Sequence, residues 1–152
     1  MNLIESQIAR SQFANAPHLV IAVDGIPLNV TIDAALPNRQ FAGLVPTLLD
    51  WLSDPVERSL VWDRILPTQG NTAHAPLLMC PDDCDLWCSV IIADVVLDNR
   101  VVWWRRLGVD ATREGLPTAV GTTVEWINGL GPYCFTLADY QKCINSFGPN
   151  DP

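Results

Sequence analysis

Leu86-Trp-Cys-Ser-Val-Ile-Ile-Ala-Asp-Val-Val-Leu97 is the longest apolar run in the chain, and its reading decides the fold class. Taken as extended backbone, it puts Leu86, Cys88, Val90, Ile92 and Val96 on one face and Trp87, Ile91, Ala93, Val95 and Leu97 on the other. Successive side chains of a strand point to opposite faces. Apolar groups on both faces predict a strand covered on both sides, hence central in a sheet. Asp98-Asn99 predicts a turn, and Arg100 to Leu107 the returning strand, with Val101, Trp103 and Leu107 against Val102 and Trp104.

Upstream, Leu77 to Cys80 predicts a short strand, Pro81 to Asp85 a turn, and Thr68 to Pro76 a polar loop. His18 to Val23 and Ile26 to Ile32 flank Asp24-Gly25, the signature of a β-hairpin. Pro27 puts the second of these strands at an edge. Residues 1–16 predict a short amphipathic turn or two. Leu44, Leu48 and Trp51 or Leu52 recur at helical spacing and predict a helix within Phe41 to Leu52. Asp54-Pro55 opens a second helix, with Asp54 as its N-cap, Val56, Leu60 and Ile65 along one face and Pro67 as its stop.

Downstream, Gly108 to Gly121 reads as a long loop, Thr122 to Ile127 as a last strand, and Tyr133 to Phe135 as a short extended piece. Thr136-Leu-Ala-Asp139 is a capping-box variant. Tyr140, Cys143, Ile144 and Phe147 follow at i, i+3, i+4 and i+7, the stripe of a helix docked on a core. These elements predict one α+β domain over residues 1–152, with an antiparallel sheet of about five or six strands and helices mainly on one face.

The composition fits a globular domain, with 49% apolar and 17% charged residues among 152. The net charge of −8 opposes binding to nucleic acid or to an anionic membrane surface. It suits a basic protein partner, because opposite charge speeds encounter. No apolar run approaches the roughly 20 residues of a membrane-spanning helix. The N-terminal residues lack the charged lead and apolar centre of a secretory signal. Five cysteines cannot all pair within one chain. Together these features predict a cytoplasmic protein with reduced thiols.

Two sets of residues are candidates for a site. Cys80, Cys84 and Cys88, with His74, form a thiolate and imidazole set of the kind that binds zinc, although their spacing is not that of a zinc knuckle. No C-x-x-C occurs, and cysteine also serves as a small buried apolar residue. Trp103 and Trp104 are neighbours on a strand and must face opposite sides of the sheet. Whichever is exposed beside Arg105 and Arg106 is a candidate protein contact, since Trp and Arg dominate interface hot spots. Neither His18 nor His74 lies in a nucleophile motif, and no phosphate-binding glycine loop is present. No catalytic set and no required cofactor is therefore expected.

Pro76-Leu-Leu-Met-Cys-Pro-Asp-Asp-Cys-Asp-Leu-Trp-Cys-Ser-Val90, followed by Val101-Val-Trp-Trp-Arg105, resembles a family of small uncharacterised bacterial proteins. Those proteins share a cysteine-bearing turn, an apolar strand and a V-x-W strand. The resemblance spans residues 50–147 and implies a bacterial origin, but no activity. A small, acidic, Trp-rich α+β chain also looks like the immunity proteins of bacterial toxin systems in size and composition. The expected function is thus non-enzymatic binding of a protein partner, in the manner of an immunity-type inhibitor. The alternative is a metal- or thiol-dependent role for the Cys80/Cys84/Cys88 turn.

Overall fold

The computed structural model describes residues 1–148. Its centre is an antiparallel sheet built on β5 (Thr72–Met79), β6 (Ile91–Asp98) and β7 (Val101–Asp110). β4 (Val45–Pro46) pairs with β5, while β8 (Val124–Trp126) and β9 (Tyr133–Thr136) both pair with β7. A second sheet joins β1 (Ile4–Ala9), β2 (His18–Val23) and β3 (Ile26–Pro27). Three helices complete the described residues: α1 (Leu28–Ala35), α2 (Pro55–Ile65) and α3 (Leu137–Asn145). The chain is α+β, as its sequence predicts.

β6 is central for the expected reason. Ile91, Ile92, Ala93 and Val95 are buried on alternate faces, between β5 and β7. Its start differs from the expectation, because the strand begins at Ile91 and Leu86 to Val90 form a loop. Leu86 and Val90 are buried there without strand pairing, so apolar character alone extended the run too far. β5 is longer than expected and takes in Thr72 to Pro76.

The apolar alternation of Ile26, Leu28, Val30 and Ile32 misleads in the same way. Only Ile26 and Pro27 pair with β2, and a helix follows that buries Leu28, Asn29 and Ile32. Asp24 and Gly25 do make the tight turn, both with positive φ (52° and 84°). Residues 4–9 form a strand, paired along its whole length with β2. The helix expected within Phe41 to Leu52 is absent. A short 3-10 turn at Phe41–Gly43 leads into β4, and Leu44, Val45, Leu48, Leu49 and Leu52 are all buried. Val45, Thr47 and Leu49 are buried beside Leu44, Leu48 and Leu52, so the helical spacing of the leucines marks burial and not a helix face, and Pro46 occupies a strand pair instead of a first helical turn.

α2 and α3 follow their cues. The Asp54 carboxylate accepts the Glu57 N–H at 3.0 Å, and the Thr136 hydroxyl accepts that of Asp139 at 3.1 Å. The α3 stripe buries Tyr140, Cys143 and Ile144, and Phe147 packs beside it. The inward face of α2 is Glu57, Leu60, Val61 and Ile65, whereas Val56 is exposed.

Both helices cover one face of the large sheet, and one side chain links them to each other and to β7. The Tyr140 hydroxyl donates to the Ile65 carbonyl at the end of α2 (2.6 Å) and accepts from Trp104 Nε1 (3.3 Å). Tyr140 and Trp104 are both fully buried, and Phe135 of β9 packs edge-on against Trp104 and stacked on Tyr140. Burial and the apolar surroundings also hold the Tyr140 phenol protonated well above its usual range. Tyr140→Phe keeps the ring but leaves the Trp104 N–H and the Ile65 carbonyl without this partner. The variant is expected to lose about 1–3 kcal/mol, the usual cost of stranding buried polar groups. A urea titration with unchanged slope and a lower midpoint is the predicted result.

Candidate functional site

The large sheet has a second face, and its polar centre is Asp94. This residue stands directly across from His74 on β5. Across from it on β7 the register shifts: Val95 pairs with Trp104 and Ala93 with Leu107. Arg105 and Arg106 therefore both oppose Asp94, in the manner of a β-bulge. The extra residue brings Leu107 to the same face as Trp104, contrary to simple alternation, and turns Arg106 to the face of Arg105.

Both arginines bind the one carboxylate. Arg105 Nη2 donates to Asp94 Oδ1 at 2.9 Å. Arg106 donates to Oδ2 through Nη2 (3.2 Å) and Nε (3.3 Å). The Asp94 side chain is only 2% exposed, whereas those of the arginines are 51% exposed. A buried anion thus orients two cations whose outer surfaces remain in solvent. Trp126 covers one of them, with the Arg106 guanidinium carbon 4.0 Å from the ring centroid, a cation–π contact.

His74 flanks this cluster. Its Nε2 is 3.8 Å from Asp94 Oδ1, its ring meets Trp126 edge-on, and its Nδ1 lies 2.7 Å from the Gly121 carbonyl. The Gly121 N–H is held by Asp110 at 3.0 Å, so the segment after β7 is tied to both edges of the site. Arg64 of α2 reaches round to the carbonyls of His74, Thr118 and Val120. The long loop expected from Gly108 onward is thus pinned, and it begins only after Asp110. β8 crosses close over Gly108, where a Cβ would come within 2.6 Å of the Glu125 carbonyl oxygen, so only glycine fits.

Trp103 and Trp104 face opposite sides, as their adjacency requires. Trp104 is fully buried under the helices, and Trp103 is 37% exposed. Trp103 pairs with Val96 and Cys134, on the face that carries Asp94. Of the residues expected at a protein contact, Trp103, Arg105 and Arg106 share one surface and Trp104 belongs to the core. Sequence reasoning missed Asp94 and Trp126. An aspartate inside an apolar strand, opposite a pair of arginines, was the available signal for the first.

The cysteines form a separate site. Cys80 and Cys88 converge because Leu86 to Val90 fold back as a loop: the Cys80 thiol lies 2.7 Å from Cys88 Sγ. Cys84 turns away and donates to the Pro81 carbonyl at 3.1 Å. His74 lies six residues before Cys80 on β5 and is engaged with Asp94 and Gly121. Among the described residues no three His, Cys, Asp or Glu side chains converge so as to hold a metal. The four proposed zinc ligands are therefore not brought together. Burial, then the contact with Cys88, pushes the Cys80 thiol up to about 12. Burial and the neighbouring Asp85, Asp83 and Asp82 raise Cys84 as well. Both thiols are protonated near neutral pH and are weak nucleophiles.

Glu57 anchors this loop from α2. Its carboxylate accepts the Leu86 N–H at 3.1 Å, and the residue is 3% exposed. Burial raises its pKa, and the nearby Asp54 and Asp85 add to the rise. His18, in contrast, is structural: its Nε2 accepts the Ser11 N–H and its Nδ1 meets the Leu19 carbonyl.

No family model, curated protein or solved structure matches the chain. No helix among the described residues is long and apolar enough to cross a membrane.

Two variants test the supports of these sites. Asp94→Ala leaves two arginines side by side without their anion and is expected to cost about 1–3 kcal/mol, read as a lower urea midpoint. Glu57→Gln keeps an acceptor for Leu86 without the charge. A raised folded-state pKa means that the native protein loses stability as pH rises from the ordinary glutamate range through the raised value. Relative to the parent, Glu57→Gln should therefore be more stable at pH 7 than at pH 4. An equal difference at both pH values would remove the argument from burial.

Proposed function

We propose that this protein is a non-enzymatic binding module that engages a protein partner through the face of the large sheet carrying Trp103, Arg105 and Arg106. The observation behind this reading is the exposed indole beside two half-exposed guanidiniums oriented by a buried carboxylate. Trp and Arg supply large contact area and directed donors, and they lead the residue types of interface hot spots. Side chains already held in place lose little freedom on binding, so more of the contact energy appears as affinity.

The patch also suggests the partner's local chemistry. Two guanidiniums share one carboxylate, so this face is cationic on a chain of net charge −8. Unused Arg105 and Arg106 donors suit carboxylates or backbone carbonyls, and Trp103 suits an apolar or aromatic group. The acidic remainder of the surface favours approach of a partner that is basic elsewhere. Among such modules, an immunity-type inhibitor fits the size, acidity and tryptophan content of the chain. A cytoplasmic setting belongs to the same reading. The raised Cys80 and Cys84 thiols favour binding over nucleophilic catalysis.

The test compares capture by the parent chain and by Trp103→Ala from a lysate of the source cells at low salt. Trp103 is partly exposed, so its truncation should leave the urea midpoint within about 1 kcal/mol of the parent. A partner retained by the parent and lost at least tenfold by Trp103→Ala supports the reading. Equal retention by both, or no retained protein, overturns it.

A further inference from the structure

The Cys80–Cys88 pair lies apart from the binding face and stands on its own geometry. The two residues are eight apart in sequence, and the fold-back of the 81–90 loop brings their sulfur atoms to 2.7 Å. Cys88 is exposed, and Cys80 lies inward of it at the end of β5. The enclosed loop carries Trp87, 57% exposed and the most exposed indole of the described residues. One side of the loop is held to α2 through Glu57 and Leu86.

The geometry points to Cys80 and Cys88 as a reversible dithiol–disulfide clasp, closed by exchange with a small-molecule disulfide, that fastens the loop presenting Trp87. The exposed Cys88 thiolate attacks one sulfur of the oxidant RSSR, forming a Cys88–SR mixed disulfide and releasing RS⁻. The Cys80 thiolate then attacks the Cys88 sulfur. The Cys80–Cys88 bond forms, the bond to SR breaks, and a second RS⁻ leaves. Two protein thiols lose two protons and two electrons, and RSSR becomes two RSH after protonation. Cys84 stays outside the clasp because its thiol is turned to the Pro81 carbonyl.

Two features shape the chemistry. Burial, which raises Cys80, makes the closing step slow, so the pair responds to a sustained change in redox poise. Once Cys88 carries SR, its sulfur can no longer become a thiolate, and the Cys88 charge that opposes ionisation of Cys80 is removed. In a reducing compartment the pair rests as two thiols, and an oxidising shift closes it.

The experiment treats the purified full chain with excess oxidised glutathione at pH 8 and then alkylates the remaining thiols in denaturant. Cleavage ahead of aspartates puts Cys80, Cys84 and Cys88 on separate peptides, because Asp82, Asp83 and Asp85 lie between them. The expected result is loss of two of the five thiols, a cross-linked Cys80–Cys88 peptide pair, and full recovery with dithiothreitol. Cys84→Ser should give the same cross-link. Cys80→Ser should stop at a glutathione adduct on Cys88. Five alkylated thiols after oxidation, a cross-link that includes Cys84, or loss of two thiols in Cys80→Ser overturns the proposal. None of these readouts depends on a binding partner, so the clasp and the binding face stand or fall separately.

Discussion

Asp94 faces two residues of the neighbouring strand, where a regular ladder would offer one. Much of the molecule depends on that extra residue. Upstream of it, β7 sends Val102 and Trp104 towards the helices and Trp103 away from them. Downstream, Leu107 points towards the helices again, although it is three residues after Trp104 and simple alternation would send it outward. The chain thus keeps an apolar face on both sides of the irregularity. The register change brings two arginines together on the outer face. A buried carboxylate beside them makes the change tolerable, since it supplies acceptors for both guanidiniums.

The two faces of the sheet are stabilised differently. Under the helices, Trp104, Phe135 and Tyr140 pack edge-on or stacked, and one hydroxyl links the β7 indole to the end of α2. Such a contact is rigid because the polar atoms are satisfied inside an apolar core. On the outer face the order comes from charge and from the loop after β7. Asp94 holds the arginines, Asp110 holds Gly121, and Gly121 meets His74. This face is partly open to water, so its ion pairs orient side chains more than they stabilise the fold.

The cysteine turn combines features of both faces. Two of its apolar residues, Leu86 and Val90, are buried, and a buried glutamate from α2 takes the hydrogen bond that strand pairing would otherwise supply. That substitution of a side-chain acceptor for a ladder partner is why a loop can lie in a place where the apolar pattern predicts a strand. It also decides the fate of the three cysteines. As strand residues Cys80 and Cys88 would be far apart, but across a folded-back loop they touch.

The sequence by itself determined the α+β class, the central position of Ile91 to Leu97, the caps of α2 and α3, the Tyr140 stripe and the opposed tryptophans. Each rests on short-range chemistry, namely strand alternation, helical spacing and side chains that cap a helix within three residues. Tertiary structure alone decided where alternation stops. Leu28 and Ile32 serve a helix face as well as a strand face. Leu44 to Leu49 and Leu52 are buried without a helix, and Leu86 and Val90 are buried without being paired. In each case an apolar residue reports burial but not the backbone that achieves it. The candidate sites divide in the same way. Trp103, Arg105 and Arg106 were legible as residue types, whereas their gathering around Asp94 needed a register shift between strands. The Cys80–Cys88 contact needed a loop to fold back onto β5. Both are long-range pairings, and local sequence carries no direct signal for which partner a backbone will meet.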